Sequence, residues 1–402
     1  MEAVRRPRNR STHTWYQGEA MQHKMKQLAG AALVAAMSLA GTANAQQVED
    51  VKVGFAGPMT GAQAHYGKDF QNGITLAVEE ENASKPMIGG KQVRFVLDSA
   101  DDQADPRTGT TVAQKLVDDN IKGMLGHFNS GTTIPASRIY ANAGIPEIAM
   151  ATAPEYTQQG FKTTFRMMTS DTQQGSVAGT FAVKNLGMKK IAIVDDRTAY
   201  GQGLADQFEK AAKASGGAIV DREFTNDKAV DFKSILTKLK SVNPDLIYYG
   251  GADSQAAPMV KQMRELGIKA PLMGGEMVHT PTFLSLAGDA ANGTVASLAG
   301  LPLDQMPGGA DYVSKYKKRF NEDVQTYSPY AYDGAMAMFA AMKKANSTDP
   351  AKYLPFLAKT DMPAVTAAHL EYDGKGDLKN GGITLYKVVD GKWTTLQSVG
   401  GK

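Results

Sequence analysis

The chain has 402 residues, 42% hydrophobic and 21% charged, with no cysteine and a formal net charge of +3. Without cysteine there are no disulfides, thiolate metal sites or cysteine nucleophiles. The positive balance lies upstream of residue 46: that segment holds six Lys/Arg and two Asp/Glu, leaving 38 basic against 39 acidic residues, so a nucleic-acid partner loses its main electrostatic support.

In chain order, residues 21–26 read as a basic n-region, 28–39 as an apolar h-region, and Ala43, Asn44 and Ala45 as a small-residue cleavage site. This is a secretory signal peptide cleaved after Ala45. Residues 1–20 are Arg-rich and precede a complete signal, so Met21 or Met25 is the expected start, with Met1 the alternative. No later stretch approaches the roughly 20 apolar residues of a membrane helix, so the mature chain is expected to be soluble. Its 357 residues favour two domains over one.

The mature part alternates strand and helix patterns. Strands are expected at 51–56, 93–97, 121–126 and 145–149, with helices at 68–82, 106–119 and 135–143. After residues 161–166 the alternation restarts. Helices at 171–186, 204–214, 232–241 and 255–266 interleave with strands at 190–194, 218–224, 245–249 and 271–274, and Asp171 is the expected N-cap of the first. A strand at 294–302, helices at 310–321 and 330–344, and short strands near 369–372, 382–389 and 393–396 complete the chain. The fold class is therefore α/β, with two lobes, each a parallel sheet flanked by helices. No low-complexity linker separates them, so the chain is expected to cross between lobes more than once.

The stretch GHFNSGTTIPASRIYANAGIPEIAMATAP, from Gly126 to Pro154, is the centre of the reading. Two buried strands end in polar clusters, His127 to Thr133 and Ala151-Thr152, around a short helix. In open α/β sheets ligands sit outside the carboxyl ends of the strands, where helix N-termini offer free N–H groups. Two hydroxyl-bearing loops at that edge point to a small polar or anionic ligand. The Ser130 and Thr152 hydroxyls serve as caps or as ligand contacts; Glu276 is an ordinary solvated acid or the partner of a ligand ammonium. Tyr66, Tyr200 and Tyr327 are core tyrosines or walls of the site.

Catalytic motifs are missing: there is no G-x-x-x-x-G-K-[ST], G-x-S-x-G or H-E-x-x-H, and GQGLAD at Gly201 lacks the third glycine of a dinucleotide fingerprint. The six histidines, two of them before residue 46, show no metal spacing. No enzyme activity, cofactor or metal is expected.

The motifs VKVGFAGPMTG, HYGKDFQNG, DDQADP, GHFNSGTTIPAS, ATAPEYT, IAIVDDRTAYGQGLA, DLIYYGG, LMGGE and YDGKGDLKNG, in this order, resemble the periplasmic Leu/Ile/Val-binding protein family, the solute receptors of branched-chain amino acid ABC transporters. The resemblance covers nearly all of the mature chain. It implies a type I periplasmic binding protein fold with a hinge of three crossings near Thr169, Gly300 and Lys379. Lobe 1 is then 46–169 plus 300–379, and lobe 2 is 170–299 plus 380–402. It implies a monomer that binds a branched-chain or related aliphatic amino acid between the lobes, in the periplasm, and delivers it to an inner-membrane ABC permease.

By position, Ser130, Met150 and Thr152 match residues that hold the ligand's carboxylate and ammonium, and Glu276 matches the acid paired with the ammonium. Tyr66, Tyr200 and Tyr327 match aromatic positions around the side chain. Two departures stand out. Ala104 and Asn129 replace a disulfide found in some members, and Ala252 replaces a tyrosine over the ligand, which removes a carboxylate contact or makes room for a larger side chain. The alternatives are a receptor of the same class for an aromatic acid, amide or urea-like ligand, and, more remotely, a secreted α/β hydrolase using Ser130 or Thr152. A ligand-sensing regulator of this fold is disfavoured by the signal peptide and the lack of a DNA-binding module.

Overall fold

A computed structural model describes residues 1–3 and 48–401, and Glu49–Lys402 form one compact unit. The signal peptide, its cleavage point at Ala45 and the alternative starts lie outside the described residues. The chain runs through β1 (Glu49–Gly57), α1 (Ala64–Ala83), β2 (Met87–Ile88), β3 (Lys91–Asp101), α2 (Pro106–Asp118), β4 (Met124–Gly126), α3 (Ser130–Asn142), β5 (Glu147–Ala149), α4 (Glu155–Gln158) and β6 (Thr164–Arg166). These strands form one six-stranded sheet in the order β2-β3-β1-β4-β5-β6, parallel except at the β2 edge.

A second sheet follows, from α5 (Asp171–Lys184), β7 (Lys190–Asp195), α6 (Ala199–Ala214), β8 (Ala218–Phe224), α7 (Lys233–Val242), β9 (Leu246–Gly250), α8 (Asp253–Glu265), β10 (Leu272–Gly274), α9 (Pro281–Ala287) and β11 (Val295–Leu298). The chain then returns to the first sheet's side with α10 (Gly309–Phe320), α11 (Ser328–Ala345) and α12 (Pro350–Leu357), α11 packing along α1. After the small pair β12 (Asp361–Met362) and β13 (Leu370–Glu371), it ends in the hairpin β14 (Ile383–Val389) and β15 (Lys392–Val399), which extends the second sheet antiparallel to β11.

The parallel parts of the two sheets share one order: β3-β1-β4-β5-β6 matches β8-β7-β9-β10-β11. Each reverses direction at one point, between β1 and β4 and between β7 and β9, where open α/β sheets leave a crevice at the strand ends. The local chemistry explains the elements. β9 is an apolar run buried along its whole length, as a central parallel strand must be. α2 starts where Asp105 accepts from the N–H groups of Arg107 and Thr108, with Pro106 in the first turn. The start of α11 is held from outside, because the buried Asp69 of α1 accepts from the N–H groups of Tyr327 (2.6 Å) and Ser328 (3.0 Å).

Several boundaries differ from the sequence reading. α1, α3 and α6 begin four or five residues earlier, at Ala64, Ser130 and Ala199, because their first turns are polar and carry no apolar stripe. The expected strand at 294–302 is only Val295–Leu298, and three short helices, α4, α9 and α12, were not expected. Ser170, not Asp171, occupies the N-cap of α5, and Asp171 is its first helical residue. No helix among the described residues is long and apolar enough to cross a membrane.

Candidate binding site

The site lies where the carboxyl ends of both sheets meet. From the first sheet, β4 ends just before α3, whose first residue is Ser130. The N–H groups of Thr132 and Thr133 turn back to the Asn129 carbonyl, at 3.1 and 2.9 Å. Those of Ser130 and Gly131 stand at the open start of the helix, where no intrahelical acceptor exists. The Ser130 hydroxyl accepts from the Ala153 N–H at 3.2 Å, tying the loop after β4 to the loop after β5.

That second loop carries Met150 and Thr152, both almost wholly buried. Arg166 on β6 clamps it. The fully buried guanidinium donates to the carbonyls of Ala151 and Ala153, to the Thr157 hydroxyl (3.1 Å) and to Asp377 (2.8 Å). The Thr152 carbonyl in turn accepts the Asp171 N–H at 2.8 Å, so the loop also anchors the start of α5.

From the second sheet, Glu276 follows β10 and is 3% exposed. Its Oε2 accepts from Gln174 (2.6 Å) and from the Tyr200 hydroxyl (2.9 Å). A side chain at Gly275 would collide with Leu204 and the Tyr200 hydroxyl, so the glycine before Glu276 is what lets Tyr200 reach it. Asp171 is buried beside Glu276; the Thr152 hydroxyl lies near its carboxyl, but no close hydrogen bond reaches either oxygen. Burial first, and then the charge on Glu276, push the Asp171 pKa well above the usual carboxylate range. Glu276 is raised by burial, against the opposing bonds from Gln174, Tyr200 and the nearby Thr152 hydroxyl. The hydroxyls of Tyr248 and Tyr327, both in the field of Glu276, are also buried without a partner. Buried polar atoms are nearly always paired. A cluster of unpaired acceptors and hydroxyls is therefore the outline of a polar ligand.

The tyrosines have distinct places. Tyr66 donates from its hydroxyl to the Met277 carbonyl (2.6 Å) and accepts the Asp253 N–H (3.3 Å), bridging the two sides. Its ring stacks on Phe128 at 5.3 Å and meets Tyr327 edge-on at 5.7 Å. Tyr327 also packs edge-on against Phe128, at 4.8 Å. These three rings form an apolar wall. Ala252 sits at the start of α8 next to Asp253, which the His65 ring reaches at 2.8 Å. Ser130, Met150, Thr152, Glu276, Tyr66, Tyr200, Tyr327 and Ala252 are thus gathered at one edge.

Sequence reasoning missed Asp171 as a site residue, and also Gln174, Phe128 and Arg166. The signals available were the position of Asp171 and Gln174 on the first turn of a helix after a strand end, and an arginine inside a strand pattern. No group of three His, Cys, Asp or Glu among the described residues could hold a metal.

Two doubly wound sheets of one strand order, meeting over a dry polar site, define a two-lobed α/β binding protein. A family model described as "Periplasmic binding protein" matches residues 50–392, and the chain belongs to that family. Among curated proteins it is 36% identical to the Leu/Ile/Val-binding protein homolog 1 of Brucella melitensis, over 92% of this chain and 98% of that one. It is 33% identical to the leucine-, isoleucine-, valine-, threonine-, and alanine-binding protein of Pseudomonas aeruginosa, over 88% of this chain and 94% of that one. Among solved structures, the branched-chain amino acid transporter substrate binding protein LivJ of Streptococcus pneumoniae, in complex with isoleucine, superposes with a TM-score of 0.78. It shares 25% identity, covering 88% of this chain and all of that one.

Proposed function

We propose that the protein is the periplasmic receptor of an ABC importer and binds a branched-chain or related aliphatic α-amino acid between its two lobes, without chemistry, as a monomer. Residues 46–169 with 300–379 form one lobe, and 170–299 with 380–402 the other. The ligand carboxylate is held by the Ser130 hydroxyl and the open N–H groups of α3. Its ammonium is held by Glu276, Thr152 and Asp171. Tyr66, Tyr200, Tyr327, Met150 and Ala252 surround the side chain. The observation that carries this reading is the buried Asp171–Glu276 pair, two adjacent acids with no close hydrogen bond to either Asp171 oxygen, a setting that favours a cation. An isolated buried charge costs several kcal/mol, and an ammonium between two carboxyls offsets it for both partners.

Capture works as a population shift: a ligand touching both lobes favours the closed form, which the permease reads. Secretion through the signal peptide, with cleavage after Ala45, places the protein in the periplasm. The test is calorimetric titration of residues 46–402, unfolded and refolded to remove carried-over ligand, against amino acids, amides and aromatic acids. Saturable binding of aliphatic amino acids that Glu276→Gln weakens sharply supports the reading. Tight binding of an aromatic acid or amide that is indifferent to Glu276→Gln overturns it in favour of another ligand class. Turnover of an ester or amide that stops in Ser130→Ala would make the protein an enzyme.

A further inference from the structure

A cavity of about 460 Å³ adjoins the amino-acid site and shares Tyr200, Ala252 and Met277 with it. It opens where the small Ala252 side chain leaves the wall of the site unfilled, and it is lined from both sides, by Asn129 after β4 and by Asp196 and Asp227 after β7 and β8.

The lining of this cavity carries unused acceptors. Asp196 is 5% exposed; its Oδ1 accepts from the N–H (2.9 Å) and hydroxyl (2.6 Å) of Thr198, while its Oδ2 has no partner among the described residues. Burial, aided by the charges of Asp227 and Asp195, pushes Asp196 up to about 6 despite the Thr198 bonds. Asn129 gives its Nδ2 to Gln63 at 2.7 Å and leaves its Oδ1 buried and unpaired. Arg197 also lines the cavity but does not neutralise it, since its guanidinium lies over the Phe224 ring at 4.1 Å and 3.6 Å from Asp195. A leucine side chain would meet the Ala252, Tyr200 and Met277 portion and offer no donor to Asp196, to the half-buried Asp227 or to the buried Asn129 Oδ1.

We propose that the binding site extends into this cavity and takes α-amino acids with a long side chain ending in N–H donors, with Asp196, Asn129 and Asp227 receiving that end. This deepens the amino-acid reading above and rests on it. The Ala252 position opens the passage, Met277 and Tyr200 line the side chain's apolar stem, and Asp196 sets the preference for nitrogen at its tip. A terminal cation and a terminal amide share this chemistry, and ligands of both kinds separate them.

The experiment is calorimetric titration of the refolded mature protein with L-arginine, L-lysine, L-glutamine, L-norleucine and L-leucine, repeated on Asp196→Asn and on the double variant Asp196→Asn/Asp227→Asn. Asparagine keeps the oxygen that accepts from Thr198, so the turn is retained. The proposal expects arginine, lysine or glutamine to bind at least tenfold tighter than norleucine, which has the length without the donors. It expects the double variant to remove that preference while leucine affinity changes less than twofold. A preference for arginine or lysine alone assigns a cation to the cavity, and one for glutamine as well assigns the N–H donor itself. Norleucine binding as tightly as the nitrogen-ended ligands, or an unchanged preference in the double variant, overturns the extension and leaves the amino-acid reading standing. Binding of none of the five overturns both.

Discussion

Asp171 and Glu276 share one buried pocket, yet the close hydrogen bonds go to Glu276: Gln174 and Tyr200 donate to it, and only the Thr152 hydroxyl lies near Asp171. Two carboxyls so placed do not both ionise easily without a cation, and the ligand-free pair is expected to hold a proton more firmly than free carboxyls do. An ammonium ligand displaces that proton. The affinity for an amino acid should therefore fall as pH drops through the raised carboxyl pKa of the free protein, and binding should release protons. Calorimetry in buffers of different ionisation enthalpy reads the release directly. Glu276→Gln should weaken binding by roughly 100-fold or more, the scale of about 3 kcal/mol for a buried charge losing its partner. Asp171→Asn should abolish most of the proton release. Binding with no proton linkage in the wild type would remove the shared proton from the account.

Arg166 holds the Thr152 loop through two carbonyls and a hydroxyl, with Asp377 on its other edge. Arg166→Ala leaves the buried Ala151 carbonyl without its donor and strips the cation from Asp377, which keeps only the Thr157 hydroxyl, and should cost about 3 kcal/mol of stability. Arg166→Lys keeps the charge but lacks the planar fork, so it should recover only part of the loss. Denaturant unfolding gives the first number. Ligand affinity at a temperature where both variants are folded shows whether the loop is also displaced. Equal stability of the lysine variant and the wild type would mean that only the charge matters.

Strand ends and hydroxyl loops were legible because each parallel strand is a short apolar run ending in turn residues, and that pattern survives without tertiary information. Ser130, Thr152 and Glu276 could be placed for this reason. Asp171 and Arg166 could not: each is a charged residue whose burial depends on partners far along the chain, Glu276 in one case and Asp377 in the other. Asp171 even mimicked an N-cap, since it stands one residue from the true one. The first turns of α1, α3 and α6 were invisible because glycine and polar residues there interrupt the apolar stripe. The cavity beside Ala252 was legible only as a missing side chain; its acidic lining comes from loops after two different strands.

Glu147 on β5 is buried with both carboxyl oxygens unpaired, and burial pushes its pKa well above the usual value. A carboxyl raised in the folded state contributes stability that is fully present below its unfolded pKa and is lost as pH rises through the folded pKa. Glu147→Gln has the shape of the protonated acid but does not titrate. The wild-type melting temperature should therefore decline from about pH 4.5 upward relative to the variant, and the variant should be the more stable protein at the alkaline end. Parallel melting curves across pH 4–9 would show that Glu147 is not held protonated.

Gly201 on α6 and Gly250 at the end of β9 are in direct backbone contact: a Cβ on Gly250 would overlap the Gly201 carbonyl, and one on Gly201 would overlap Asp196 and the Gly250 carbonyl. This close approach sets α6 against the strand end that carries Ala252 and fixes the position of Tyr200. Gly250→Ala must push the helix away and should cost at least the 1–3 kcal/mol typical of overpacking. Gly203, two residues along the same helix, has nothing within 4 Å of where a Cβ would stand. Gly203→Ala should stabilise the protein by roughly 0.5–1 kcal/mol, the helical cost of glycine relative to alanine. The two substitutions add the same methyl group, one inside the Gly201–Gly250 contact and one on open helix surface nearby, so opposite signs in denaturant unfolding isolate the backbone contact as the cause. A weakened ligand affinity in Gly250→Ala alone would further tie that contact to the placement of Tyr200. Destabilisation of equal size in both variants would instead mean that the helix tolerates no added methyl on this turn and that the Gly201–Gly250 approach is not what limits it.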